Sequence, residues 1–141
     1  MNRDVATVRA LLADGADPNT VGDYDTPALH WLVRVDDVDT TKLLLEAGAD
    51  ANAVTGLGIS ALSLAIENGN AAMTKLLLEH GADANGALVS GESLLMSAAA
   101  VGTPEVTAAL LKAGADVSFR DPNYDQTALM VASREGHVAI V

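Results

Sequence analysis

Apolar and polar positions recur along this chain on a fixed beat. A leucine pair appears at Leu11-Leu12, Leu44-Leu45, Leu77-Leu78 and Leu110-Leu111, and each pair leads into a Gly-Ala-Asp tripeptide starting at Gly15, Gly48, Gly81 and Gly114. Each tripeptide begins 33 residues after the one before. A constant period of this length is the signature of a solenoid, in which every unit buries its apolar face only against its neighbours. Such a molecule has no single pocketed core, which moves the expectation from catalysis to surface recognition.

The third unit shows what one period predicts. Ala61-Leu62-Ser63-Leu64-Ala65-Ile66 reads as a first helix, and Gly69-Asn70 breaks it. A second helix is predicted from about Ala71 to His80, with Leu76, Leu77 and Leu78 supplying a wide apolar stripe. Gly81 falls where a helix ends in a left-handed turn, a conformation glycine adopts without a Cβ clash. Ala82-Asp83-Ala84-Asn85-Gly86 then leads into an extended, hairpin-like loop. Helix, turn, helix and loop form one supersecondary unit, stacked side by side with the next.

Four stretches carry a motif as well as a period: Pro27-Ala28-Leu29-His30, Gly58-Ile59-Ser60-Ala61-Leu62, Gly91-Glu92-Ser93-Leu94-Leu95 and Thr127-Ala128-Leu129-Met130-Val131-Ala132. With Lys42-Leu43-Leu44-Leu45-Glu46-Ala47-Gly48-Ala49-Asp50-Ala51-Asn52-Ala53, they make the chain resemble the ankyrin-repeat family over essentially its whole length. The resemblance implies an all-α ankyrin-repeat solenoid in a single domain over 1–141. Its units are expected at about 1–21 (partial), 22–54, 55–87, 88–120 and 121–141 (partial). It further implies a concave face made by inner helices and loop tips, with the second helices as an outer wall.

Departures from the family pattern are informative. Its histidine position holds His30, then Ser63, Met96 and Met130, so one copy alone can make an inter-repeat imidazole hydrogen bond. The inner-helix alanines persist at Ala65, Ala98 and Ala132. Trp31-Leu32-Val33 is bulky where small residues are usual. Because the first unit starts at about Arg3, inside its second helix, the helix Ala28 to Val35 should face an empty slot, and Trp31 is expected to plug it. One extra residue between Asp121 and Thr127 should make the last loop project further than the others.

Composition fits a packed helical stack. Half of the 141 residues are hydrophobic but only 3% are aromatic, namely Tyr24, Trp31, Phe119 and Tyr124. With no cysteine in the chain, disulfides, thiolate metal sites and a cysteine nucleophile are excluded. No apolar run reaches membrane-spanning length and Met1-Asn2-Arg3-Asp4 is not a secretory signal, so a cytoplasmic location without membrane contact is the default expectation. A formal charge of −11, with eight scattered Lys and Arg, leaves no phosphate-tracking stripe and argues against nucleic acid. Acidic residues gather in loops, at Asp14, Asp17, Asp23 and Asp25, at Asp36, Asp37 and Asp39, and at Asp121 and Asp125. Solubility and helix capping account for them most simply, and attraction of a basic partner segment is the sharper reading.

Candidate chemistry is scarce. His30 reads as a partly buried hydrogen-bonding residue, and His80 and His137 as surface residues near turns; they should not converge on a metal. Asp36-Asp37-Val38-Asp39 lacks the Gly and distal Glu of a calcium loop. No phosphate loop and no Ser/His/Asp spacing stands out, so no catalytic residue, metal or cofactor is assigned. The ankyrin resemblance places the partner-binding candidates at the loop tips and inner-helix ends: Asp23, Tyr24, Thr26, Arg34, Leu57, Ile59, Glu67, Val89, Glu92, Val101, Tyr124 and Arg134. Tyr24, Leu57, Ile59, Val89 and Tyr124 are apolar where solvent-facing polar residues would be easy to place, and an apolar line with an acidic rim suits a recognition patch. The competing expectation is that these side chains pack between adjacent loops.

The expected function is therefore a protein–protein interaction module without catalysis, taking a basic and apolar partner segment. The alternatives are a regulatory or targeting segment of a larger enzyme or effector, and a structural spacer. The fifth unit stops at Gly136-His137-Val138-Ala139-Ile140-Val141, early in its second helix and on an apolar edge. That pattern raises two expectations: continuation into further repeats, or end-to-end self-association.

Overall fold

Each leucine pair sits on a helix, and the starts of these helices keep the beat of the sequence. In a computed structural model that describes residues 5–140, α1 (Val5–Ala13), α3 (Val38–Glu46), α5 (Ala71–Glu79) and α7 (Pro104–Lys112) begin 33 residues apart. Between them run α2 (Ala28–Arg34), α4 (Ala61–Glu67), α6 (Leu94–Val101) and α8 (Ala128–Glu135). The third unit's helices end within one residue of their predicted limits. Outside the helices, the described residues contain three isolated antiparallel bridges. The fold is an all-α repeat solenoid.

Local chemistry fixes the helix ends. Ser60, Ser93 and Thr127 cap α4, α6 and α8 by accepting from the N–H groups of Ser63, Met96 and Met130. Asp37 and Asn70 cap α3 and α5 in the same way. At the far ends Gly15, Gly48, Gly81 and Gly114 all have φ between 88° and 96°. The alanine after each glycine donates back to the first leucine of the pair, as Ala82 does to Leu77 at 3.0 Å. The Leu-Leu…Gly-Ala spacing is thus the sequence of a helix-terminating turn, whose 6→1 hydrogen bond needs a left-handed residue.

Stacking produces two layers. The inner helices α2, α4, α6 and α8 pack in sequence, as do the outer helices α1, α3, α5 and α7, and α2–α3, α4–α5 and α6–α7 pack as pairs. Ala65, Ala98 and Ala132 are fully buried, and their small size lets inner helices approach closely. The main core runs through Leu29, Val33, Leu44, Leu62, Ile66, Met73, Leu77, Leu94 and Leu110. A smaller cluster of Met96, Ala99, Val131 and Ala132 holds α8.

Polar bridges tie the units together. Asn19 donates to Gly48 O at 3.1 Å and accepts from Asp50 N–H at 2.8 Å. Asn52 repeats this with Gly81 O (2.8 Å) and Asp83 N–H (2.8 Å), and Asn85 with Gly114 O (3.1 Å) and Asp116 N–H (2.7 Å). The next position in the ladder is Ser118, whose hydroxyl turns back to Asp116 at 2.6 Å. His30 makes the expected inter-repeat bond, with Nε2 2.9 Å from Ile59 O. Asp36, at φ 55°, accepts from the side-chain amides of Asn68 and Asn70.

Two expectations need correction. Trp31 does not plug the stack: it is 49% exposed, with the Arg34 guanidinium 5.9 Å from its ring centre. The reason is positional, since no inner helix precedes α2 among the described residues, while Val131 at the same register is buried beside α6. His137 is half-buried rather than a free surface residue, and its Nε2 lies 3.1 Å from Ala100 O in the preceding unit. The expected start at Arg3 and the terminal Val141 lie outside the described residues. Among those residues, no helix is long and apolar enough to cross a membrane.

Candidate protein-binding face

The loops that join one unit to the next end in tight, closed tips. Bridges pair Val21 with Pro27, Val54 with Ser60 and Ala87 with Ser93. Inside them, Gly22 N–H donates to Thr26 O, Thr55 to Ile59 O and Leu88 to Glu92 O, at 2.8–2.9 Å. In the fourth loop the same closure runs from Asp121 N–H to Gln126 O at 3.1 Å, one residue further on, which is where the extra residue is absorbed. Asp121 organises the enlarged turn from within. Its carboxylate is buried and accepts from the N–H groups of Asn123, Tyr124 and Gln126 at 2.7–2.9 Å. Burial pushes its pKa upward, but those three donors outweigh it and hold the carboxyl below the ordinary aspartate value.

The first tip is strained. Tyr24 has φ 59° and ψ 33°, Asp25 has φ 49°, and Thr26 N–H closes the turn on Asp23 O at 3.3 Å. Two successive left-handed residues make the mirror-image turn that Asn-Gly favours. A tyrosine there costs about 1 kcal/mol. The result is a ring 88% exposed to water. Tyr24, Leu57, Ser90 and Tyr124 share one register position, and Leu57 (74%), Val89 (77%) and Tyr124 (77%) are also out in solvent. Adjacent tips are hydrogen-bonded to each other, by Gly56 N–H to Tyr24 O at 3.2 Å and by the Asn123 amide to Ser90 O at 3.0 Å.

Below the second and third tips lies a groove of about 230 Å³, lined among others by Ile59, Ser63, Leu64 and Glu67 on one side and Leu88, Val89 and Ser90 on the other. It brings together three expected residues, Ile59, Glu67 and Val89. Leu64 and Ser63 were absent from the expected set; Leu64 stands three positions before Glu67 on α4, on the same helical face, which is the signal that could have found it. Ile59 is half-buried, and its carbonyl is taken by His30. Thr26 is half-buried and bonded within its own turn, Glu92 accepts from Ser90 Oγ at 3.3 Å, and Asp23 is exposed. Arg34, Val101 and Arg134 sit at the far ends of the inner helices, about 10 Å from the tips by helical rise. Arg34 covers Trp31, and Arg134 is bonded to Gln126 and Glu135.

The titratable chemistry is dispersed. Among the described residues, no three His, Cys, Asp or Glu side chains gather to hold a metal. His30 has its pKa lowered, because burial disfavours the imidazolium more than the Ile59 carbonyl favours it. Asp36 and Asp37 serve their own backbone and neighbours, Asp37 as the cap of α3.

A family model described as ankyrin repeats (3 copies) matches residues 1–87 and again 29–121. A search of curated proteins finds no match.

Proposed function

The chain belongs to the ankyrin-repeat family, whose repeats are generally protein-interaction modules, and from that premise we propose that it binds a partner protein along its loop tips and the groove beneath them. The partner segment carries apolar side chains for Tyr24, Leu57, Val89 and Tyr124, and basic ones for Asp23, Asp25, Glu67 and Glu92 at the border. The observation that carries this reading is the line of tip side chains left in water. Three of them occupy one register position on consecutive, mutually bonded turns, and one sits on a strained backbone. Nothing in the packing of the stack requires an aromatic ring there. Aromatic anchors in desolvated centres commonly carry 2 kcal/mol or more, while border charges act mainly on association rate and its salt response.

Peptides selected from a random library on the purified domain test the assignment. Tyr24→Ala and Leu57→Asp should each weaken binding about 30-fold, the equivalent of 2 kcal/mol. Lys75→Glu, on the outer face of α5, should leave it unchanged. The opposite pattern would place the site on the outer helices.

A further inference from the structure

The two edges of the stack are complementary halves of one unit. At one edge, α1 is an outer helix without an inner partner, and none of its residues is buried. At the other, α8 is an inner helix followed by only the turn Val138–Ile140. The register makes them match, since Val138 follows Val5, Val38, Ala71 and Pro104 at the start of an outer helix. Side chains exposed at each edge are those that complete units bury. Leu11 is 55% exposed, whereas its equivalents Leu44, Leu77 and Leu110 are 5%, 0% and 0%. Leu129 is 56% exposed, against 3% or less at Leu29, Leu62 and Leu95.

We propose that two copies of this chain associate head to tail, with α1 of one copy lying in the groove that α6, α7 and α8 of the other leave open. That groove measures about 210 Å³ and is apolar, lined by Leu95, Ala99, Leu111, Leu129 and Ile140 among others. Its occupant is specified by the molecule itself. The corresponding interface inside the stack is filled by α7, whose Leu110 corresponds to Leu11 of the incoming α1. The same step brings α2 of the incoming copy beside α8, so that Trp31 meets the surface now exposed at Met130. Two features make this junction weaker than the internal ones. Ser118 stands where an Asn would bridge to the next turn. Val138–Ile140 also overlaps the place of the incoming Val5–Thr7, and one of these single turns must yield, which is the least costly displacement available to a helix end.

Sedimentation velocity over a concentration series, with Trp31 emission read on the same samples, tests the proposal. Mass should rise from 14.4 kDa and pass twice that value, because head-to-tail pairing always leaves an open edge. Emission should move to shorter wavelength as the sole tryptophan leaves water. Leu11→Glu and Leu129→Glu change exposed positions, so each should keep its helical circular dichroism yet remain monomeric where the unaltered chain pairs. An equimolar mixture of the two should form a 1:1 dimer and nothing larger, each contributing its intact edge. Three results overturn the proposal: a chain at 14.4 kDa at every concentration with unshifted emission, single variants that still pair, or a mixture that stays monomeric. The first would leave the groove to an outer helix from elsewhere.

Discussion

At the scale of single residues, Tyr24 and His30 set function against stability in opposite ways. Tyr24 holds a left-handed backbone that its side chain does not favour, and its ring makes no core contact in return. Tyr24→Asn should therefore raise stability, by up to about 1 kcal/mol, because Asn tolerates this conformation. The same change should weaken peptide binding; a variant that binds equally well would remove Tyr24 from the site. His30 presents Nε2–H to Ile59 O, which leaves Nδ1 buried without a partner among the described residues. Adding a proton to Nδ1 means burying a donor with nothing to receive it. With the folded pKa below the ordinary 6.5, the unfolded chain binds more protons between the two values, so stability rises with pH there. The contribution is complete above 6.5 and is lost as pH falls toward the folded value. Chemical denaturation between pH 7 and pH 5 should show that slope, and His30→Met, which copies the residue at Met96, should abolish it. An unchanged slope in the variant would assign the effect to other groups.

At the scale of elements, the 33-residue beat carried most of the fold, because each helix is bounded by residues with strong local preferences. The leucine pairs, the capping Ser, Asn and Asp, and the Gly after each outer helix act within a few positions of themselves, so their effect can be read along the chain. What could not be read depends on neighbours in space. Trp31 resembles a core residue until the absent preceding helix leaves it half in water. His137 resembles a surface residue until the Ala100 carbonyl receives it. In the candidate site, exposure at the tips followed from the motif, whereas the groove at Leu64 depends on how α4 meets the Ala87–Ser90 loop. The asparagine ladder repeats visibly at Asn19, Asn52 and Asn85, yet its meaning lies in bonds to the next unit. Asn52→Ala removes two of these at an exposed position, so it should cost about 1 kcal/mol. Asn85→Ser should behave alike, and Ser118→Ala should be close to neutral. Urea melts compare the three; equal losses at all three positions would mean that the ladder adds nothing beyond its local turns.

At the scale of the whole molecule, order is supplied by neighbours, so it should decline from the middle outward. Helices α4, α5 and α6 have packed units on both sides and carry side chains with no exposure at all, such as Ile66, Leu77 and Ala98. Helix α1 buries none of its residues, and α8 rests on the small cluster around Val131 and Ala132. In a quasi-one-dimensional stack each unit is stabilised by its interfaces, and an end unit has half as many. The outermost helices should thus open at free energies near zero while the centre opens only with the global transition. Native-state hydrogen exchange at low protein concentration should show fast amides in α1, intermediate ones in α8, and the slowest in α4 to α6. The order follows from burial alone and does not depend on which partner the tip face takes. Uniform protection along the chain would mean that the units fold as a single block, with the interfaces strong enough to carry the ends. Protection of α1 that climbs with protein concentration would have a different source, the covering of Leu11 by a second copy, and the two effects separate because only the latter disappears in Leu129→Glu.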